Sequence, residues 1–355
     1  SLSSHEVALG YKEDTEDPSV YIKFRLDPSS VSSSSTIHPL VADPAVQTFI
    51  LAWTTTPWTL PGNTALAVAP SVEYAVVEAT ADDRKQRLIL AQALLSSSLT
   101  DDYRILTTVS GSELVGLRYH PLYPPTEAGL ELQQFQRGKS GRASLIRREL
   151  APGEELTYPV IEGDFVSTED GTGVVHIAPA FGDVDFESGQ EQGLLFLQPV
   201  DLRGIISDPQ AKWPFSGRFV KDADPLVLDD LRSRELLYRS ERIRHTYPFC
   251  WRCDDPLLYY AKRTWYIRTT AKKDKLVSGN ETINWYPEHI KYGRFGDWLE
   301  NNVDWAFSRE RYWGTPLNIW HCTQCGEQEC LGGLADLEGR PGIEGLEQPL
   351  DLHRP

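Results

Sequence analysis

Residues 47–63 read QTFILAWTTTPWTLPGN, a short apolar run that ends in a cluster of threonines and prolines. The run from Gln47 to Trp53 predicts a buried β-strand, and Pro57 ends its hydrogen-bonding ladder because proline has no backbone N–H. Four threonines follow within six residues, at Thr54, Thr55, Thr56 and Thr59. Their hydroxyls could bind a ligand at the end of the strand. A threonine-rich strand edge with ordinary turn chemistry is the alternative from composition alone.

The sequence on both sides of this stretch mixes short strands with helices. Apolar alternation predicts further strands at 5–27, 74–78, 87–90, 173–179, 306–307 and 313–320, with the one at 87–90 running into a helix. A proline start and clustered apolar residues predict a helix over 287–302, whereas residues 29–35 and 139–142 are typical of exposed loops. This mix predicts an α+β fold with a β-barrel-like domain over roughly 45–237.

The composition is that of a folded, loop-rich protein. The chain has 355 residues, 40% of them hydrophobic, and 35 basic against 51 acidic side chains give a formal net charge of −16. This length predicts about two domains with their own cores. No apolar run approaches the ~20 residues of a membrane span, and the first residues do not resemble a secretory signal. Disorder, collagen-like structure and membrane insertion are therefore excluded, and the absence of methionine suggests an excised fragment.

The charge is unevenly distributed. Basic residues are concentrated between Arg239 and Arg311, whereas the rest of the chain is strongly acidic. This distribution predicts contact with nucleic acid on one restricted face rather than general nucleic-acid binding.

A second group of polar residues follows the predicted strand 173–179. His176 lies on that strand, and Asp185 follows nine residues later, so the two side chains could meet in one pocket. From the pattern alone, a hydrogen-bonded core histidine is the more common case. Asp183 and Asp185 would face the same side in an extended segment, whereas the start of a helix would separate them.

Four of the five cysteines form two C-x-x-C pairs, Cys250 with Cys253 and Cys322 with Cys325. So few cysteines argue against a disulfide framework and for a reducing compartment. Each pair has the spacing of half a tetrahedral zinc site. One zinc site shared by all four cysteines is an alternative, and Cys330 is interpreted as incidental.

Several of these motifs together resemble the isoleucyl-tRNA synthetase family, in the order in which that family carries them. The matching stretches are WTTTPWT at 53–59, GTGVVHIAPAFG at 171–182 with Asp185, YPFCWRC at 247–253, NWYPEHIK at 284–291 and SRERYWGTP at 308–316. The leucyl and valyl enzymes are less similar, because they usually carry Arg-Pro after the first threonines. The family's ATP-site signatures, His-Ile-Gly-His and Lys-Met-Ser-Lys-Ser, are absent, so the chain looks like a middle section that cannot make aminoacyl-adenylate.

The resemblance implies an editing domain that hydrolyses valine mischarged onto tRNA(Ile). Asp185 would anchor the α-ammonium of the substrate, and Thr54, Thr55 and Thr56 would place the terminal ribose, the ester and the attacking water. Thr59 and His176 would shape the pocket for valine. Trp58 is interpreted as packing and left out of the site.

The same resemblance implies the organisation of the chain and its partners. Initial strands and a serine-rich loop would occupy 1–46, the editing domain 47–237, a return segment into a Rossmann-like synthetase core 238–310, and a core strand with the start of a zinc-binding insertion 311–355. The partners would be the 3′ end of tRNA(Ile) carrying valine and the rest of the synthetase chain, with no membrane, in a cytoplasmic monomer.

Editing would need no cofactor. Zinc would be incompletely bound, because the family usually completes each cysteine pair with a second pair that this sequence lacks. The alternatives are a free-standing hydrolase that clears mischarged tRNA in trans, a valyl- or leucyl-type editing domain, and a structural zinc-binding adaptor.

Overall fold

The computed structural model describes residues 2, 4–81, 84–138, 143–309, 317–343 and 346. The chain divides into two compact units, Leu2–Ala261 and Lys262–Pro355. The first contains the threonine cluster, His176 and Asp185, and the second contains the cysteine pair Cys322 and Cys325. The domain limits expected at 46/47, 237/238 and 310/311 stay predictions.

The first unit is built mainly from strands. They are β1 (Tyr11–Arg25), β2 (Thr48–Thr54), β3 (Ala65–Val68), β4 (Glu73–Ala81), β5 (Arg84–Ala91), β6 (Tyr103–Ser110), β7 (Arg118–Tyr119), β8 (Gln133–Arg137), β9 (Ala143–Arg147), β10 (Tyr158–Glu162), β11 (Val174–Ile177), β12 (Leu195–Phe196) and β13 (Leu237–Pro248). The α-helices are α1 (Ser4–Ala8), α2 (His38–Val41), α3 (Leu95–Ser98), α4 (Gly111–Leu114), α5 (Asp183–Gln192) and α6 (Val220–Ser233), and 3₁₀ helices cover Pro28–Ser30, Pro57–Gly62 and Gln92–Leu94.

Ten of these strands form one mixed sheet that curls into a barrel. The strand order is β6-β4-β5-β2-β11-β3-β10-β7, and β1 pairs with both β2 and β13. A bridge between Leu26 and Tyr119, together with a hydrogen bond from the Asp27 N–H to the Arg118 carbonyl at 2.8 Å, joins the end of β1 to β7. The ring β1-β2-β11-β3-β10-β7 is thereby closed. The prediction of an α+β fold with a β-barrel-like domain is confirmed.

Three aromatic side chains fill the barrel at this seam. Tyr119 packs edge-on against Phe24 at 5.3 Å between ring centroids and against Tyr158 at 5.9 Å. All three rings are buried. Such pairs contribute about 0.5–1.5 kcal/mol each beyond the burial of their apolar area. The packing therefore stabilises the short two-residue strand β7, whose few backbone hydrogen bonds would hold it only weakly.

Strand β13 lies outside every strand predicted above. It runs antiparallel to β1 over most of its length, and Arg242 and Arg244 both bind Glu16, at 3.0 and 2.8 Å. Charged or polar residues fill its exposed positions, so no apolar alternation marks it as a strand. The strands predicted at 47–53, 74–78, 87–90 and 173–179 are confirmed, and so are the helical turns after β5. Of the strand predicted at 5–27, residues 11–25 form β1, whereas Ser4–Ala8 form the helix α1. Residues 139–142 lie outside the described residues.

The second unit, considered by itself, contains two antiparallel strand pairs: β14 (Tyr266–Ile267) with β15 (Trp305–Ala306), and β16 (Ile319–His321) with β17 (Gln328–Cys330). Its helices are α7 (Lys273–Glu281), α8 (His289–Tyr292), α9 (Arg294–Glu300) and the 3₁₀ helices Thr269–Lys272 and Leu334–Asp336. The single helix predicted over 287–302 is wrong, because the chain breaks at Gly293 between α8 and α9. Half of the strand predicted at 313–320, residues 313–316, lies outside the described residues, whereas Ile319 and Trp320 belong to β16.

The Rossmann-like core expected around the barrel stays a prediction. No helix in the described part of the chain has the length and apolar character needed to cross a lipid bilayer.

Candidate functional site

The site lies where two neighbouring parallel strands end. β2 and β11 run parallel, with Trp53 opposite Val175. The threonine turn, defined here as Thr54–Thr59, therefore leaves the sheet beside His176. Two segments more than 110 positions apart in the sequence meet at this edge because β11 inserts between β2 and β3.

A cavity of about 270 Å³ opens between these strand ends. It is lined by Trp53, Thr54, Thr55, Thr56, Thr59, Val175, His176, Ala178, Phe181 and Asp185. All six residues predicted for the editing site are among them. Pockets for drug-sized ligands usually measure ~300–1,000 Å³, so this cavity suits a small group.

Hydrogen bonds link the hydroxyls of the threonine turn to one another. The Thr56 Oγ1 atom lies 3.3 Å from the Thr54 Oγ1 and 3.2 Å from the Thr59 Oγ1. The Thr59 hydroxyl donates to the Thr56 carbonyl at 2.8 Å, and the Thr54 Oγ1 accepts the Thr56 N–H at 3.2 Å. The turn therefore presents a set of oriented hydroxyls to the cavity rather than freely rotating ones.

His176 uses both of its ring nitrogens inside the protein. Its Nε2 lies 2.8 Å from the Thr59 Oγ1, and its Nδ1 lies 3.1 Å from the Asn63 Nδ2. The orientation of the Asn63 amide follows from its other bonds: Nδ2 donates to the Ala65 carbonyl at 2.9 Å, and Oδ1 accepts the Tyr119 hydroxyl at 2.6 Å. Because Asn63 is a donor to Nδ1, the imidazole proton is on Nε2 and is donated to Thr59.

Burial keeps this histidine neutral. His176 is 8% exposed, and desolvation lowers its pKa to about 4. The structure thus places His176 both in the core and in the cavity lining, and its role in shaping a pocket for valine stays a prediction. His176 is a hydrogen-bonded, buried histidine whose ring also forms part of the cavity wall.

Asp185 supplies the negative charge of the cavity. Its Oδ2 accepts the Ala178 N–H at 2.8 Å. Burial raises its pKa to about 6, although backbone hydrogen bonds partly oppose the shift. No ion-pair partner of Asp185 occurs among the described residues. At neutral pH the cavity therefore holds a mostly ionised carboxylate that is not neutralised by a side chain, which suits a cationic ligand.

The turn between β11 and α5 aims this carboxylate. Asp183 and Asp185 stand in the first turn of α5, so the two side chains diverge, and Asp183 is exposed and outside the cavity lining. Gly182 precedes the helix, and a Cβ there would lie 3.0 Å from the Asp185 Oδ1. The helix start, rather than an extended segment, thus selects Asp185 over Asp183.

A family model described as tRNA synthetases class I (I, L, M and V) matches residues 1–341. The chain belongs to this family. Within it, isoleucine–tRNA ligases are similar over the whole chain: 51% identity over 355 residues to that of Dehalococcoides mccartyi (strain CBDB1), covering 100% of this chain and 33% of the relative. The isoleucine–tRNA ligase of Thermus thermophilus is 42% identical, with 100% and 29% covered. The chain thus spans about a third of the length of these relatives.

Two solved structures of leucyl enzymes also align with this synthetase chain. The crystal structure of GlLeuRS-CP1 has a TM-score of 0.43 and 16% identity, covering 63% of this chain and 99% of that one. The editing domain of the P. knowlesi cytosolic leucyl-tRNA synthetase has a TM-score of 0.40 and 14% identity, covering 66% and 97%.

Sequence reasoning missed two residues that lie behind the cavity lining and contact it or the adjoining turn. Asn63 ends the quoted threonine stretch, but only the fold places its amide against His176. Asp224, on α6, accepts the Trp58 N–H at 2.9 Å and is 166 positions away in sequence. Trp58 itself lies outside the cavity lining and packs edge-on against Phe181 at 5.0 Å, in agreement with its interpretation as a packing residue.

The two cysteine pairs are candidate zinc ligands, and all four thiols are free. Cys250 is half-buried, whereas Cys253, Cys322 and Cys325 are exposed. No group of three or more possible metal ligands occurs among the described residues. Tetrahedral zinc takes four ligands, so each pair alone supplies half a site, and zinc binding stays a prediction.

Proposed function

We propose that the cavity hydrolyses the ester bond of valine mischarged onto tRNA(Ile), as the editing site of an isoleucine–tRNA ligase. The observation that carries this proposal is the convergence of the threonine hydroxyls, neutral His176 and ionised Asp185 on one small cavity. The similarity of the whole chain to isoleucine–tRNA ligases supports the choice of amino acid and tRNA.

An isoleucine enzyme needs such a site for a physical reason. One missing methylene changes binding by only ~1–3 kcal/mol, so a pocket built for isoleucine also accepts valine. A second and smaller site, which valine enters and isoleucine does not, removes the error after transfer.

The reaction requires a bound water and no covalent enzyme intermediate. The Asp185 carboxylate binds the α-ammonium of the valyl group through a charge-assisted hydrogen bond. Hydroxyls of Thr54, Thr55 and Thr56 hold the terminal ribose, the ester carbonyl and the water. The water oxygen attacks the carbonyl carbon, the bond from this carbon to the ribose oxygen breaks, and that oxygen takes up the proton that the water loses. The products are valine and uncharged tRNA.

His176 and Thr59 act in this reaction through shape and position. Because both nitrogens of His176 are hydrogen-bonded and its pKa is lowered to about 4, it is a poor acceptor for the proton of the water. Its ring instead occupies space that the extra methylene of isoleucine would need.

The proposal includes the partners expected from the sequence. The substrate is the 3′ end of tRNA(Ile) carrying valine, and the rest of the synthetase chain supplies the Rossmann-like core into which this barrel is inserted. The protein acts as a cytoplasmic monomer, and editing uses no cofactor.

The test is a deacylation assay with valyl-tRNA(Ile), isoleucyl-tRNA(Ile) and threonyl-tRNA(Val). The proposal expects hydrolysis of the first and little of the other two. Preference for threonyl-tRNA(Val) would assign a valyl-type site, and no hydrolysis of any ester above an inert control would overturn the proposal. Adding free tRNA(Ile) as competitor checks that recognition includes the tRNA.

A further inference from the structure

The threonine turn runs into the 3₁₀ helix Pro57–Gly62, whose first backbone donors need partners. The first N–H groups of a helix have no acceptor within it. Here Pro57 has no N–H, and the Thr59 N–H reaches the Thr56 carbonyl at 3.0 Å. The Trp58 N–H is therefore the donor that must be satisfied from outside the turn.

Thr56 occupies the N-cap position of this helix but does not cap it. Threonine at an N-cap usually accepts a helix N–H with its own hydroxyl. The Thr56 side chain makes no such bond. Its hydroxyl lies among those of Thr54 and Thr59 in the cavity wall instead.

Asp224 takes over the capping bond from another element. Its Oδ1 accepts the Trp58 N–H at 2.9 Å, and its side chain is buried, with 5% exposed. α6, which carries it, packs against the 3₁₀ helix. A carboxylate from α6 thus replaces the side chain that would normally cap the turn.

Charged and titratable groups surround Asp224 from each element packed against it. Lys221 comes from α6, Asp17 from β1, and Tyr247 from β13. Lys221 and His245 both donate to Asp17, at 2.8 and 2.9 Å. Burial raises the pKa of Asp224 to about 7, against the opposing effects of Lys221 and the Trp58 N–H. Near pH 7 this side chain is therefore partly protonated and uncharged, so asparagine resembles it in size, charge and hydrogen-bond acceptor.

We infer that Asp224 is a positioning residue of the hydrolytic site: by capping the turn at Trp58 from α6, it leaves the Thr56 hydroxyl free to face the cavity. Without this acceptor, the Thr56 hydroxyl rotates to bind the Trp58 N–H and leaves the cavity. The expected effect on kcat rests on the proposed function. The expected movement of the Thr56 hydroxyl does not, because it follows from the geometry of the turn.

The experiment compares Asp224→Leu, which removes the acceptor, with Asp224→Asn, which keeps one of similar size. For the Leu variant we expect kcat for valyl-tRNA(Ile) hydrolysis to fall about 10- to 100-fold, since ångström-scale misplacement costs up to ~10²-fold, with KM changed less than threefold. The Asn variant should keep kcat within about threefold of wild type. Equal losses in both, or none in the Leu variant, would overturn the inference.

Asp230→Ala is the matched control on the same helix. Asp230 accepts the Tyr123 hydroxyl at 2.9 Å, away from the threonine turn. We expect this variant to melt at a lower temperature with unchanged kcat. A kcat loss as large as that of Asp224→Leu would show that any destabilisation of α6 lowers activity. It would overturn the inference that Asp224 acts through the turn. If the Leu variant does not fold, Asp224→Ala replaces it.

A structural readout separates this inference from the proposed function. Amide exchange of the Trp58 N–H and the position of the Thr56 hydroxyl in a crystal structure are measured in both Asp224 variants. If wild type hydrolyses no ester, the proposed function fails, and these measurements still decide the inference. A Thr56 hydroxyl that stays in the cavity of the variant lacking the acceptor would refute it.

Discussion

Replacing Asp185 by asparagine should make the protein more stable and much less active. The substitution keeps the size of the side chain and an acceptor for the Ala178 N–H, but it removes the charge. The proposed anchor for the substrate ammonium is thereby lost without a large change in packing. A variant with Ala at this position should also lose hydrolysis, although it removes the hydrogen bond to Ala178 as well.

The loss of activity follows from the strength of a charged hydrogen bond. Hydrogen bonds to charged groups contribute ~1.5–3 kcal/mol, and each ~1.4 kcal/mol is a factor of ten in rate. We therefore expect kcat/KM for valyl-tRNA(Ile) to fall by about 10- to 150-fold in Asp185→Asn. In wild type, kcat/KM should fall tenfold per pH unit below about pH 6, where Asp185 becomes protonated. The Asn variant should lack this dependence.

The gain in stability follows from the raised pKa. Burial moves the pKa of Asp185 from its ordinary value of 3.8 to about 6, so between these values the folded state binds more protons than the unfolded state. Stability then falls as pH rises through this window, and the full penalty remains at neutral pH. Removing the charge should recover about 1–3 kcal/mol at pH 7, which raises the melting temperature by about 2–4 °C per kcal/mol.

The predicted loss of activity is checked by deacylation assays between pH 5 and 7.5. The predicted gain in stability is checked by thermal unfolding at pH 4 and 7. The difference in melting temperature between variant and wild type should be small at pH 4 and larger at pH 7. Hydrolysis by Asp185→Asn within threefold of wild type at pH 7 would refute the role of the charge. If Asp185→Asn loses activity but gains no stability, the carboxylate acts in hydrolysis but its burial does not destabilise the fold.

Three further predictions concern other parts of the chain. His176→Ala should raise hydrolysis of isoleucyl-tRNA(Ile) by about 10- to 100-fold, since ~1–3 kcal/mol of overlap is relieved, and should lower the melting temperature because its two hydrogen-bond partners lose a contact. A less stable variant without this gain contradicts the size gate. Gly173→Ala should unfold at a lower temperature than Gly153→Ala: both glycines have positive φ, but only at Gly173 would an added Cβ clash with a neighbour, the Ala91 side chain. Equal melting temperatures would exclude the clash. Metal analysis should find less than one zinc per chain; one full zinc held by Cys250, Cys253, Cys322 and Cys325 would refute incomplete ligation.

The two strands at the site, β2 and β11, could be predicted from local patterns, because each is a short apolar run followed by a proline. The parallel pairing of these two strands through Trp53 and Val175 could not be predicted, since nothing in either segment specifies which strand it pairs with. Motif resemblance, rather than periodicity, brought Thr54 and Asp185 into one predicted site.

The parts that escaped prediction depend on distant contacts. β13 carries charges at its exposed positions, and its pairing with β1 joins residues more than 200 positions apart. Asp224 is one of several acidic residues in α6, and nothing in the sequence distinguishes it from the others. Only the fold brings it into contact with the Trp58 N–H. The helix expected over 287–302 failed for a local reason, because the backbone at Gly293 leaves the helical conformation, with φ −90° and ψ −129°.

The seam of the barrel is also linked to the site through side-chain hydrogen bonds. Tyr119 closes the ring with Leu26, and its hydroxyl is the first donor in the series that runs through Asn63 to His176 and Thr59. A nascent chain whose barrel is still open therefore lacks the fixed orientation of the imidazole and of the hydroxyl beside it. The shape of the cavity thus depends on a barrel closure that none of the residues lining it makes.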